Sequence, residues 1–245
     1  MNSQVVIEGR FRGPPKSGNG GYSCGVVAEG VIGVAMVTLR LPPPLDRPLT
    51  LSGDGEQSRL TDGARLIGEA IRAPLDLEVP EAPGLDMAID SSRRYAGFES
   101  HPFEGCFVCG PARDPGDGLR LFPGVVEDTT TVAAPWIPDQ SLRGDDGLVD
   151  RRHVWAALDC PSYFGLPHGP VALLGRLTAE IDRLPEVGEP LVVIGWPIEV
   201  NGRKSLAGSA VATAEGEVFA RAAATWIEVD ELPPGTTQAD HPPAG

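Results

Sequence analysis

The chain repeats itself. Residues 37–51, VTLRLPPPLDRPLTL, are echoed by 176–194, RLTAEIDRLPEVGEPLVVI, and 59–71, RLTDGARLIGEAI, by 211–223, VATAEGEVFARAA, with a glycine turn at a similar place in each of the second pair, Gly63 and Gly216. A repeat constrains a fold more tightly than composition does, because whatever one copy forms the other must form as well. In the C-terminal copy the segments are alternating or rich in β-formers, and they break at EVGEP (186–190), VNGRK (200–204) and AEGEV (214–218). Each break is a turn signal, so the copy reads as antiparallel strands joined by short hairpins. Each strand set follows a segment of small and apolar residues that reads as a short buried helix, about 20–33 in the first half and about 151–165 in the second. A helix followed by a strand meander, twice over, predicts an α+β protein made of two units packed as an intramolecular pseudo-dimer.

The units are expected at 1–80 and 105–229. Between them, 81–104 falls in a stretch rich in Pro, Gly and Ser (LEVPEAPGLDMAIDSSRRYAGFESHP, 77–102) and reads as a linker with at most marginal structure. The segment 230–245, DELPPGTTQADHPPAG, has too little apolar surface to fold and is expected to be disordered.

Composition narrows the function classes. A formal charge of −14 argues against nucleic acid as a partner, which needs a basic face for phosphates. It leaves room for a phosphorylated small ligand held by a few arginines. Four cysteines in 245 residues are too few for a disulfide scaffold, so they read as reduced. No apolar run is long enough to span a membrane, and MNSQVVIEGRFRG lacks a secretory signal pattern, so a cytoplasmic location is expected.

Two motifs carry chemistry. The second half opens with CFVCGPARDPGDGLRLFPG (106–124), followed by WIPDQSLRGDDGLVDRRHVWAALDC (136–160). This resembles the hotdog-fold acyl-CoA thioesterases of the phenylacetate-pathway type. Those chains commonly carry a C-F-x-C-G…G-L segment and a G-x-x-H-G-G loop entering a helix, with an Asp nine residues after the His. Here Asp150-Arg151-Arg152 stands in place of His-Gly-Gly, and Asp159 falls nine residues after Asp150. In the first half, Lys16-Ser17-Gly18-Asn19-Gly20-Gly21 keeps the glycine loop with Asn19 for the His, and Ala28 lies where the acid belongs. One half keeps the loop and the other keeps the acid.

The resemblance implies a double hotdog with one composite thioesterase site and no cofactor. Gly20 and Gly21 would let a thioester approach the backbone, and their N–H groups at a helix N-terminus would form an oxyanion hole. Asn19 would fix the loop or cap the helix. Asp159, an acid in the apolar run VWAALDC, would be nucleophile or general base, with Ser162 bonding its carboxylate or the attacking water. Pro161 is expected to distort that helix. The acyl chain would lie along the seam between the two helices, near Tyr22, Cys24, Gly25 and Ala157, with His153 lining the pocket and Arg151 and Arg152 meeting coenzyme A phosphates. The opposite site, Asp150-Arg151-Arg152 against Ala28 and Glu29, reads as catalytically dead.

Other readings stand beside this one. A binder of acyl-CoA or lipid without turnover fits the departures from the family pattern, and a hydratase or dehydratase would use His153 with Asp159. An acyl-carrier thioester is the alternative substrate form, and a homodimer through open sheet edges is expected. Cys106-Phe-Val-Cys109, with His101 nearby, invites a metal. A single C-x-x-C without a second pair is short of the four ligands a structural zinc needs, and it reads instead as two small buried thiols in an edge segment. His168 and His241 carry no signal.

Overall fold

The computed structural model describes residues 1–167 and 171–232. His168, His241 and residues 233–245 of the segment expected to be disordered lie outside them. Among the described residues, no helix is long and apolar enough to cross a membrane.

The first half contributes β1 (Asn2–Val6), α1 (Gly20–Ala28), β2 (Ala35–Leu39), β3 (Pro48–Gly53), β4 (Gln57–Asp62) and β5 (Arg65–Arg72). After α2 (Leu85–Ser92), the second half adds β6 (Gly124–Val125), β7 (Val132–Trp136), α3 (Arg151–Ala157), α4 (Cys160–Phe164), β8 (Ala172–Ile181), β9 (Leu191–Asn201), β10 (Lys204–Thr213) and β11 (Val218–Glu228). All the strands join one antiparallel sheet in the order β1-β3-β4-β5-β2-β8-β11-β10-β9-β7-β6.

Outward from the central β2–β8 pair, the sheet reads alike in both directions. β2, β5, β4, β3 and β1 on one side answer β8, β11, β10, β9 and β7 on the other. The repeated segments occupy these equivalent strands. The two hairpins even share an irregularity: β4–β5 skips Ile67, β10–β11 skips Phe219, and both bulged residues are buried. Each is the ninth residue of its repeat. A bulge bends its strand and increases the local twist, so the same bend recurs in both halves.

α1 and α3 pack against each other on one face of the sheet, around a shared core that includes Val27, Leu51, Leu60, Trp155, Leu177 and Val211. The 81–104 region is more than a linker. α2 lies on the opposite face of the second half, where Ala88, Ala133, Val192, Ile194 and Ala210 form a separate core. Alternation makes this possible: in β9, Leu191 and Val193 face the main core while Val192 and Ile194 face α2. The expectation of marginal structure failed because Pro83 and Gly84 only precede the helix, while LDMAIDSS after them is helix-competent.

The segment expected as one helix over 151–165 is two. α3 ends at Ala157 and α4 begins at Cys160, with Asp159 between them at φ −81, ψ −82. Pro161 lies in the first turn of α4, where its missing N–H costs nothing but where continuing α3 unbroken through it would.

Candidate active site

Asn19 caps α1. Its Oδ1 accepts from Tyr22 N at 2.9 Å, which satisfies one of the orphan donors of the first turn. Its Nδ2 points the other way and donates to Asp159 Oδ2 at 2.8 Å. Gly21 N donates to the same oxygen at 2.9 Å. The two motifs, 140 residues apart in the chain, therefore meet at one carboxylate oxygen.

Asp159 is held there by its own corner. Ser209 Oγ donates to Leu158 O at 2.6 Å, and Ser162 Oγ donates to the main-chain oxygen of Asp159 at 2.7 Å. Trp226 Nε1 in turn donates to Ser162 Oγ at 2.9 Å. Ser162 thus fixes the main chain of the corner and does not bond the carboxylate, contrary to the sequence-based expectation. The break before α4 turns its side chain toward β11.

Asp159 is 2% exposed, and its second oxygen, Oδ1, has no hydrogen-bond partner among the described residues. Burial raises its pKa to about 7, the hydrogen bond from Gly21 opposes the rise, the Cys106 charge adds to it and the Asn19 amide opposes it. The residue borders a cavity of about 290 Å³, whose wall includes Asn19, Gly20, Phe164, Leu174 and Trp226. Gly20, first residue of α1, lies on that wall.

The glycines have a different use from the one expected. A Cβ on Gly21 would come within 2.5 Å of Asp159 Cβ and 2.6 Å of Trp155 O. One on Gly25 would lie 2.9 Å from Arg152 Cα. Four residues apart, they form the face on which α1 touches α3, so their missing side chains admit the neighbouring helix and not a substrate. This closes the expected acyl channel along the helix seam. Cys24 is fully buried there, and burial, with the Asp159 charge second, pushes its thiol well up.

The remaining expected binding residues lie away from the cavity. Tyr22 stacks on Phe11 with ring centroids 4.1 Å apart, and burial pushes its phenol up to about 12. His153 sits among the rings of Phe11, Tyr22 and Phe107, with Nδ1 3.1 Å from Leu142 O, and burial lowers its pKa. It is not paired with Asp159, which removes the geometric basis for the hydratase reading. Arg151 opens α3, at the end of that helix away from Asp159. Arg152 forms a salt bridge with Glu29. Burial opposes its charge, but the Glu29 carboxylate outweighs that and raises the guanidinium pKa.

Sequence reasoning missed part of the cavity wall. His101, Cys106, Cys109 and Cys160 all border it. The Cys106–Cys109 pair is no isolated edge feature, since Cys106 Sγ lies 3.8 Å from Cys160 Sγ. The signal lay in the residue next to the acid, LDC, which was read only for its aspartate. Hydrogen bonds from Cys109, Cys160 and the main chain hold the Cys106 thiol well below its ordinary value, while burial pushes Cys109 and Cys160 well up.

No protein-family model matches the sequence, and no curated protein matches it. Solved structures do. A Thermobifida fusca protein inferred to be a thioesterase II superposes with TM-score 0.58 at 17% identity, covering 92% of this chain and 91% of its own. A Novosphingobium aromaticivorans protein inferred to be a thioesterase gives 0.59 at 14%, covering 93% and 95%. An Alicyclobacillus acidocaldarius protein of unknown function with a hot dog fold gives 0.59 at 8%, covering 94% of each chain. At such identities the likeness establishes the architecture: the chain has a hotdog fold.

Proposed function

We propose that the chain is two hotdog units fused as an intramolecular pseudo-dimer, and that it hydrolyses a thioester, an acyl-CoA foremost, in the cavity beside Asp159. The observation that carries this reading is the division of labour between the two oxygens of one buried carboxylate. Oδ2 is pinned by Asn19 and Gly21, while Oδ1 is unpartnered on a residue that borders the cavity. A buried polar atom left without a partner costs stability, and such atoms concentrate where chemistry needs them.

In this reading the thioester carbonyl carbon lies about 3 to 3.5 Å from the attacking oxygen. Oδ1 attacks it directly to form an acyl-aspartate, or takes a proton from a water that attacks. In either case the carbonyl electron pair moves onto oxygen, and the Gly20 N–H at the start of α1 is the donor placed to meet it. Collapse of the tetrahedral intermediate expels the thiolate, which is protonated by solvent; on the direct route water then hydrolyses the acyl-aspartate, releasing the acid and restoring the carboxylate. Gly21, expected as an oxyanion donor, instead orients the acid. A cavity of about 290 Å³ sits at the small end of ligand pockets, which favours short or single-ring acyl groups over long chains. A carrier-protein thioester presents the same carbonyl.

The test is release of free thiol from acetyl-, hexanoyl- and phenylacetyl-CoA by the full chain and by Asp159→Asn. Loss of a base or nucleophile at the reacting centre lowers turnover by about 10² to 10⁴. Acyl-CoA binding with no Asp159-dependent turnover would assign the chain to the non-catalytic binders.

A further inference from the structure

The cavity wall beside the carboxylate holds groups that thioester chemistry does not use. Cys106 and Cys109 lie on one tight turn, closed by a hydrogen bond from Gly110 N to Cys106 O at 3.0 Å. The α3–α4 corner delivers Cys160 to the same place. The three sulfurs lie within 4.8 Å of one another, and all are buried free thiols.

Packing alone does not account for this arrangement. Buried thiols acting as small apolar groups need no donors around them. Here donors converge. His101 Nδ1 accepts from Phe103 N at 2.8 Å, which puts the proton of the neutral ring on Nε2, and Nε2 stands 3.2 Å from Cys109 Sγ. Asn19 Nδ2 lies 3.8 Å from Cys106 Sγ. Such donors favour sulfur as thiolate. A divalent cation bound to the three sulfurs would supply the counter-charge that buried thiolates need. Metal–sulfur bonds of about 2.3 Å around a tetrahedral zinc put two sulfurs about 3.8 Å apart. The Cys106–Cys160 separation is 3.8 Å. A disulfide, at about 2.05 Å, would use two sulfurs and strand the third.

We propose that Cys106, Cys109 and Cys160 bind one thiophilic divalent cation of the zinc class, with the His101 ring N–H and the Asn19 amide as donors to the sulfurs and not as ligands. Binding forms three metal–sulfur bonds and releases the three thiol protons, with no change in oxidation state. The site carries one net negative charge, which the donors face, and its fourth coordination position is left to solvent from the cavity. Asn19 then touches both the carboxylate and the metal site, so filling the site stiffens the loop that pins Asp159.

The full chain, purified under reducing conditions and stripped with chelator, is titrated with Zn²⁺ against a chromophoric competitor and separately with Co²⁺. One equivalent of either ion is expected, with the near-ultraviolet charge-transfer band of cobalt–thiolate bonds. Cys160→Ser should weaken binding by at least about hundredfold, given that even outer donors are worth 10- to 100-fold. Cys24→Ser, outside the cluster, should bind as the parent does, and circular dichroism confirms that each variant is folded. A parent chain that takes up no stoichiometric metal, a Cys160→Ser variant that binds equally well, or a Cys106–Cys160 disulfide in peptide maps of the freshly purified chain overturns the proposal. These readouts do not involve turnover, so their failure leaves the hydrolase reading standing, and the reverse holds too.

Discussion

The two ends of the α1–α3 pair differ in chemistry. At one end the first turn of α1 meets Asp159, which is 2% exposed, held by two donors on one oxygen and unpartnered on the other. At the other end the first turn of α3 meets Glu29, and Arg152 answers it with a salt bridge whose side chains are 35% and 28% exposed. The helix caps correspond: Asn19 at one end and Asp150 at the other each accept a main-chain N–H of the following turn. The residues two positions after the caps do not correspond. Gly21 leaves room for an acid to press against the main chain, whereas Arg152 fills that room and neutralises the acid it meets. A carboxylate paired with a guanidinium in contact with water is a satisfied ion. One buried against neutral donors keeps an oxygen without a partner.

The comparison can be broken most severely at Gly21. Gly21→Val would drive a side chain into Asp159 and Trp155, and overpacking at a helix contact of this kind should cost about 3 kcal/mol in urea unfolding. A shift below 1 kcal/mol would mean that the helices are not held as closely as described. Asn19→Ala removes the cap of α1 and one of the two donors on Asp159, so a loss of about 1 to 2 kcal/mol is expected, together with a fall in turnover. Unchanged turnover would show that Gly21 alone suffices to orient the acid. Trp226→Phe deletes the donor to Ser162 that steadies the corner, for about 1 kcal/mol by thermal unfolding. The smallest effect belongs to the closed end. Glu29→Gln weakens a partly exposed pair and should lower stability by about 1 kcal/mol or less, with turnover intact.

Much of this was legible in the sequence because it is written locally. Strand alternation, the turns at Gly188, Gly202 and Gly216, and the repeat that pairs 59–71 with 211–223 all follow from residues close together in the chain. Asp159 stood out as an acid in an apolar run, and Asn19-Gly20-Gly21 as a helix entry. What sequence could not give was what each group meets across space. Ser162 was assigned to the carboxylate or its water by helical spacing, but after the break at Leu158–Asp159 its hydroxyl bonds the main chain. Gly25 was assigned to an acyl channel, although smallness serves helix contact as readily as it serves a cavity. The C-x-x-C pair, with His101 nearby, was set aside for want of further partners, one of which lies 54 residues on at Cys160. α2 was hidden because its apolar face, Ala88 with Leu85, is small and covers only part of a sheet.

The most direct test is a parallel measurement of kcat/KM for thioester hydrolysis by Asp159→Asn and Glu29→Gln, one acid from each end of the helix pair. The asymmetric site predicts a loss of about 10² to 10⁴ in the first and a value within about twofold of the parent in the second. Equal losses, or a loss confined to Glu29→Gln, would contradict it.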